Sequence, residues 1–197
     1  VFLLRAAFEG QTSNAERLSV LDNGSAIKVL INTMKRHLEC ATIQAFGCWT
    51  MINLGLNEPY RSMLIIEGGI NTIVRSMHAH PNDRNVQFRG IFALVNLCSQ
   101  TNTSAYQVVD PVSRAAKVYM DDVKLCHHAC MVFYNLSLSR RTREYLMQHD
   151  MMLQLLMEID SRYGDKYTCI KHLSQKTLRR LGMTISHPPT EITCGCL

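Results

Sequence analysis

The chain has 197 residues, a length that accommodates one or two domains. Hydrophobic residues make up 47% of it, which is ample for a packed core and excludes a disordered chain. The net charge is +5 without a dense run of lysine and arginine, so nucleic acid is not an expected partner and acidic proteins are favoured.

Apolar residues recur at helical spacing along most of the chain, and no segment shows the alternation of a half-buried strand. Two kinds of breaker separate the helices: Gly68-Gly69, where glycine takes a left-handed cap, and Asp110-Pro111, where proline interrupts a helix. The segments predicted to be helical are 1–8 (the tail of a helix whose start is absent), 15–21, 26–34, 39–54, 60–67, 70–78, 85–97, 104–109, 112–120, 123–136, 143–148, 151–160 and 167–181. After Gly182 the pattern ends.

One arrangement recurs in three of the long segments: an apolar side chain, then an asparagine four residues later, then a leucine. Side chains four residues apart lie on the same helical face. The pairs are Trp49 and Asn53, Phe92 and Asn96, and Met131 and Asn135. The asparagines are 43 and 39 residues apart, which indicates a repeat of this length, and the fourth long segment has Arg180 in the corresponding place.

Short, medium and long helices at this spacing, with Gly-Gly after the first and Asn-Leu ending the third, resemble the armadillo repeat of the catenin and importin-α families. The best-matching unit is 57–97, NEPYRSMLIIEGGINTIVRSMHAHPNDRNVQFRGIFALVNL. The resemblance covers about residues 11–182 and implies an all-α fold, a right-handed α-solenoid of about four armadillo-type three-helix repeats. The implied divisions are a repeat domain, 1–182, with a remnant of a preceding repeat at 1–10 and units at about 11–56, 57–99, 100–139 and 140–182, and an extended C-terminal tail, 183–197.

The resemblance also implies a function, a non-enzymatic scaffold that binds an extended peptide segment of another protein along a concave groove lined by the third helices. The three asparagines would hold the peptide backbone, because an amide offers both a donor and an acceptor. Trp49, Phe92 and Met131 would form apolar walls. A structural interpretation stays open, in which the asparagines cap carbonyls or bridge adjacent repeats and Trp49 packs in the core.

Two further interpretations of the array stay open. In importin-α such a groove uses several tryptophans and acidic residues to hold basic nuclear-import signals, whereas this chain has a single tryptophan. A basic set of third helices fits an extended acidic partner better. The other interpretation is a structural repeat segment of a larger multidomain protein. The charged residues on the third helices are Arg84, Arg89, Lys124, Lys171, Lys176, Arg179 and Arg180, against Glu39, with Asp83, Asp121, Asp122 and Asp165 at the helix starts.

Six of the eight cysteines lie in helical apolar patterns, where a thiol packs as a small hydrophobe, so we expect the cytoplasm or the nucleus. Cys126, His127, His128 and Cys130 have the outline of a metal cluster, but a structural zinc site needs four tetrahedral ligands, usually spread over a loop and a helix. Core packing is therefore expected, and a metal-dependent enzyme is the alternative. No catalytic residue, metal, cofactor or small-molecule substrate is predicted.

Membrane association is expected only if Cys194 is lipidated, since no apolar stretch is long enough to span a bilayer. The terminus, Cys194-Gly195-Cys196-Leu197, has the outline of a prenylation box with atypical middle residues. A flexible tail is the preferred interpretation.

Overall fold

The structure, a computed structural model, describes residues 25–98 and 105–183, and every regular element in these ranges is an α-helix. The all-α prediction is confirmed for this part of the chain. The predicted segments 1–8 and 15–21 and the proposed lipidation site at Cys194 lie outside the described residues.

The chain divides into two compact units, Val1–Leu97 and Cys98–Leu197, and each is described by itself. The helices of the first unit are α1 (Ser25–Arg36), α2 (Ala41–Gly55), α3 (Glu58–Ile66), α4 (Gly69–Ala79) and α5 (Arg84–Leu97). Those of the second unit are α6 (Ala105–Val118), α7 (Val123–Ser137), α8 (Arg140–Leu146), α9 (Asp150–Tyr163) and α10 (Thr168–Arg180). We call α2, α5, α7 and α10 the third helices.

Gly68 separates α3 from α4, as the sequence predicts, and Gly69 is the first residue of α4. Gly68 has a φ of 84°, in the left-handed region that favours glycine. Gly69 is constrained differently, because a Cβ at this position would lie 2.7 Å from the carbonyl oxygen of Leu64. The two glycines therefore serve two purposes, a left-handed turn and a close backbone approach.

The break predicted at Asp110-Pro111 is wrong, because the single helix α6 runs through it. A proline inside a helix costs about 3 kcal/mol, through one lost hydrogen bond and steric crowding. The opposing term is burial: Val108, Val109 and Val112 of this helix are each 0% exposed. Full burial of a valine contributes about 1.5 kcal/mol or more, so the three together outweigh the proline.

The other predicted boundaries shift by about one turn or less. α2 begins at Ala41 with Cys40 at its N-cap, so Glu39 lies outside the third helix to which it was assigned.

The C-terminal ends of α2 and α7 are stabilised in the same way, by an arginine six residues after the last helical residue. Arg61 Nη1 donates to the Gly55 carbonyl at 3.2 Å, and Arg143 Nη1 donates to the Ser137 carbonyl at 3.2 Å. A cation at this end also interacts favourably with the helix dipole.

A buried glutamine anchors each third helix of the first unit. Gln44 Nε2 donates to the carbonyls of Met34 at 3.0 Å and His37 at 2.7 Å, ten and seven residues earlier. Gln87 makes the same two bonds at the same offsets, both at 2.8 Å. The carbonyls belong to the end of the preceding helix, where few intrahelical donors remain. These bonds fix the rotation of α2 and of α5 about its own helix axis in the same way. They therefore determine which side chains each helix exposes.

No helix in the described ranges is both long and apolar enough to cross a membrane.

Candidate functional site

The third helices each expose a stripe of side chains at helical spacing, and the predicted site residues lie on it. Core-facing neighbours such as Met51 and Leu94 are completely buried. The predicted residues are half-buried: Trp49 and Asn53 on α2, Phe92 and Asn96 on α5, and Met131 and Asn135 on α7. The first four belong to one unit and the last two to the other.

Arg89 connects the stripes of α2 and α5. Its guanidinium carbon lies 5.2 Å from the ring centroid of Phe46 and 5.2 Å from that of Trp49. A cation over an aromatic face is attracted by about 0.5–2 kcal/mol, depending on exposure. Trp49 is half-buried on the stripe. The surface beside it is positively charged and aromatic, where the sequence predicted an apolar wall.

Asn96 extends from α5 to the last turn of α2. Its Nδ2 donates to the main-chain carbonyl of Ile52 at 2.9 Å. This carbonyl needs an external donor, because the N–H of Leu56, four residues later, bonds Asn53 O at 3.4 Å. The bond matches the structural interpretation, in which the asparagine bridges adjacent repeats. It also occupies one of the two amide N–H groups that a peptide backbone would use.

Tyr134, beside the predicted Asn135 on α7, is the centre of a cationic cluster in the second unit. The guanidinium carbon of Arg180 lies 4.7 Å from its ring centroid, and Lys176 Nζ lies 5.6 Å from it. Hydrogen bonding from Arg180 to the phenol lowers the pKa of Tyr134, and the positive charges of Arg180 and Lys176 act in the same direction. Arg180, which interrupts the asparagine series, thus supplies a cation to the stripe instead of an amide.

The third helices contain no carboxylate. None of the four segments, which lie within the described residues, includes an aspartate or a glutamate. Their cations are Arg84, Arg89, Lys124, Lys171, Lys176, Arg179 and Arg180. The exposed side of these helices is accordingly basic, and in both units it combines cations with aromatic rings.

Cys126 and Cys130 lie in the core of the second unit, each 0% exposed, so the expected packing role is confirmed. Cys126 takes the place of the anchoring glutamines, since its Sγ contacts the carbonyls of Met120 at 3.5 Å and Tyr119 at 3.9 Å. Burial raises the pKa of the Cys126 thiol to about 12, which disfavours the thiolate that a metal needs. Over the described ranges, no three His, Cys, Asp or Glu side chains are grouped to hold a metal ion.

Phe46 and Tyr134 were missed by the sequence prediction. A signal existed, because Phe46 lies three residues before Trp49 and Tyr134 three residues after Met131, which places each on the stripe. No pattern in the sequence indicated that Phe46 and Tyr134 would contact cations. The partners are on neighbouring helices, 43 residues away for Arg89 and 46 for Arg180.

Comparisons with known proteins bear on the fold alone. No family model matches the chain, and no curated protein matches it. A solved structure, described as the crystal structure of an engineered protein, is similar with a TM-score of 0.54 and 15% sequence identity. The similarity covers 91% of this chain and 88% of that one.

Proposed function

We propose that this chain is a non-enzymatic protein-interaction scaffold that binds an extended acidic segment of a partner protein along its third helices. The observation that carries the proposal is the character of the exposed stripes: cations stacked on aromatic rings, on helices without a carboxylate. Such a surface attracts negative charge and offers flat apolar area for neighbouring side chains.

The architecture we propose is a right-handed α-solenoid of about four armadillo-type repeats. Bonds that recur from one repeat to the next support it. In the first unit, His80 Nε2 lies 2.7 Å from the Leu38 carbonyl, and in the second, Tyr163 Oη donates to the Met120 carbonyl at 2.7 Å. Each bond joins the region where a second helix ends to the loop before the preceding third helix. A repeat protein is stabilised by such nearest-neighbour contacts.

The charge argues against an adaptor of the importin-α kind. A groove for basic signals needs carboxylates, and the third helices supply cations at the corresponding stripes. Like charges facing each other across an interface oppose binding. An acidic partner removes this conflict.

Within the proposed groove, the asparagines are proposed to contact the backbone of the partner segment. One amide N–H of Asn96 already donates to the Ile52 carbonyl, so this N–H is not available to the partner. Asn53 and Asn135 are proposed as backbone contacts, supported by their half-exposed positions on the stripes. Trp49, Phe92 and Met131 are proposed to contact partner side chains.

The proposed compartment is the cytoplasm or the nucleus. Cys48, Cys98, Cys126, Cys130 and Cys169 are buried as free thiols, the state that a reducing compartment maintains.

The proposal is tested by titrating the full chain into two fluorescent twelve-residue peptides, one alternating Asp and Ser and the other alternating Lys and Ser. Fluorescence anisotropy gives both affinities. We expect the acidic peptide to bind, with an affinity that falls as salt is raised, and the basic peptide not to bind. Arg89→Gln removes the cation next to the Phe46 and Trp49 rings. It should lower the affinity for the acidic peptide by about fivefold or more.

The matched control is Lys35→Gln, which removes an exposed cation at the end of α1. It should leave the affinity for the acidic peptide within about twofold of the unaltered chain. Tighter binding of the basic peptide would overturn the proposal in favour of an import adaptor. If Arg89→Gln and Lys35→Gln weaken binding equally, only the net charge of the chain matters and the proposed site is wrong. If neither peptide binds, the proposal fails in favour of a structural repeat segment of a larger protein.

A further inference from the structure

We propose that Tyr134, Lys176 and Arg180, called the Tyr134 cluster, bind a phosphorylated side chain of the partner segment. The assignment rests on the proposed function, since it specifies the chemistry of one residue of the acidic segment.

The Tyr134 cluster directs two cations at one ring. Lys176 and Arg180 are four residues apart on α10, so they lie one above the other on the same helical face. Their charged groups lie 5.6 Å and 4.7 Å from the Tyr134 ring centroid. Lys176 is exposed, and Tyr134 and Arg180 are half-exposed, so a ligand can reach all three from solvent.

The two cations have little negative charge around them. Among the described residues, neither Lys176 nor Arg180 forms an ion pair with a carboxylate, whereas Lys171 of the same helix pairs with Asp165 at 3.0 Å. Within the same ranges, Arg180 Nη1 is buried without a hydrogen-bond acceptor. A partly desolvated guanidinium with one N–H group that lacks an acceptor is incompletely compensated, so an anion next to it is favoured.

A phosphate monoester matches this arrangement better than a carboxylate does. It carries a charge of about −1.5 to −2 and three acceptor oxygens, so it can bond a guanidinium and an ammonium at once. The planar fork of an arginine also fits phosphate in a bidentate manner. A carboxylate has a single charge and leaves one of the two cations without compensation.

The Tyr134 phenol provides a spectroscopic reading of the site. Its pKa is lowered by hydrogen bonding from Arg180 and by the two positive charges. A bound dianion offsets those charges and competes for the Arg180 donors. Occupancy by phosphate should therefore raise the pKa of Tyr134 towards that of an ordinary tyrosine.

The experiment uses the full chain and three acetylated, amidated pentapeptides that differ only at their central residue: phosphoserine, glutamate or serine between pairs of alanines. Isothermal titration calorimetry gives the dissociation constants. The phosphoserine peptide should bind about tenfold or more tightly than the glutamate peptide. Phenolate absorbance followed against pH should show the upward pKa shift with the phosphoserine peptide, and the shift should be absent in Tyr134→Phe.

Arg180→Gln and Lys176→Gln should each remove most of the preference for phosphoserine. Lys176 is exposed, so its substitution leaves the fold intact even if Arg180→Gln does not. The matched control is Lys166→Gln, a single lysine 5.6 Å from the Tyr167 ring, which should leave the preference unchanged.

Equal affinities for glutamate and phosphoserine, or a preference that survives both substitutions, would overturn the proposal. Failure here is distinct from failure of the proposed function. If the twelve-residue acidic peptide binds through Arg89 and the phosphoserine peptide does not bind, the scaffold function stands and the phosphate assignment is wrong.

Discussion

The Ser76 hydroxyl donates to the side-chain carbonyl of Gln44 at 2.6 Å, and both side chains are completely buried. Gln44 also donates to the carbonyls of Met34 and His37, so its amide joins α1, α2 and α4. Gln44→Leu keeps the size of the side chain but removes the side-chain donor to the Met34 carbonyl, removes one of the two donors to the His37 carbonyl, and takes the acceptor from Ser76. We expect the free energy of unfolding to fall by about 2–4 kcal/mol, measured by urea denaturation.

The control for this substitution is Gln154→Leu, at an exposed position of α9, which should change stability by about 0.5 kcal/mol or less. The double variant Gln44→Leu with Ser76→Ala should cost less than the sum of the two single changes. Strictly additive effects would mean that the bond between Gln44 and Ser76 contributes nothing.

Sequence periodicity predicted the helices, because they follow from the spacing of apolar residues, and it left open whether Trp49 packs in the core or lies on the exposed stripe. It did not predict that α6 runs through Pro111, because the outcome depends on how many valines the tertiary fold buries. The hydrogen-bond partner of Asn96 could not be predicted either. The repeated asparagine indicates a role at this position, but a ligand contact and a bond to Ile52 would both produce the same repetition.

Asn96→Ala removes the bond to the Ile52 carbonyl at the end of α2. The expected loss of stability is about 1 kcal/mol, typical of a side-chain hydrogen bond to a partly buried carbonyl. Asn85→Ala, in the exposed first turn of the same helix, is the control and should have little effect. Chemical denaturation of both variants separates the two roles, since unchanged stability together with weaker peptide binding would restore Asn96 as a ligand contact.

Gly47→Ala introduces a Cβ that would lie 2.4 Å from Sδ and 2.7 Å from Cγ of Met34. Met34 is 1% exposed and has little room to move. Overpacking costs about 1–3 kcal/mol, which exceeds the gain of about 1 kcal/mol from alanine in a helix. We therefore expect a net loss of stability.

The second unit suggests a compensating change. Its residues at the same thirteen-residue separation are Ala116 and Ala129, both 0% exposed. Adding Met34→Ala to Gly47→Ala should cost less than the two single losses combined, by about 1 kcal/mol or more, measured in a double-mutant cycle. Additive losses would indicate that the two side chains do not oppose each other.

The buried thiols make the fold sensitive to alkali. Burial raises the pKa of Cys48, Cys98 and Cys126 from 9.0 to about 12. The unfolded chain therefore ionises first, so the stabilisation is fully present below pH about 9 and is lost as pH rises towards about 12. Urea denaturation at a series of pH values checks this, and Cys98→Ala should reduce the slope between these limits. A slope that does not change would show that the thiol ionises equally in both states.

His128 makes the fold sensitive to acid, because folding lowers the pKa of its imidazole. Burial lowers the pKa of its imidazole to about 4, and the neighbouring charges of His127 and Lys124 act in the same direction, against the effect of Asp122. The unfolded chain takes up a proton near pH 6.5, whereas folded His128 stays neutral until about pH 4, so stability falls as the pH is lowered between these values. His128→Gln should remove part of that slope. An NMR titration of the imidazole C–H signals, with His128 assigned by its loss in the variant, tests the cause directly, because a midpoint near 6.5 would mean that burial does not disfavour the imidazolium.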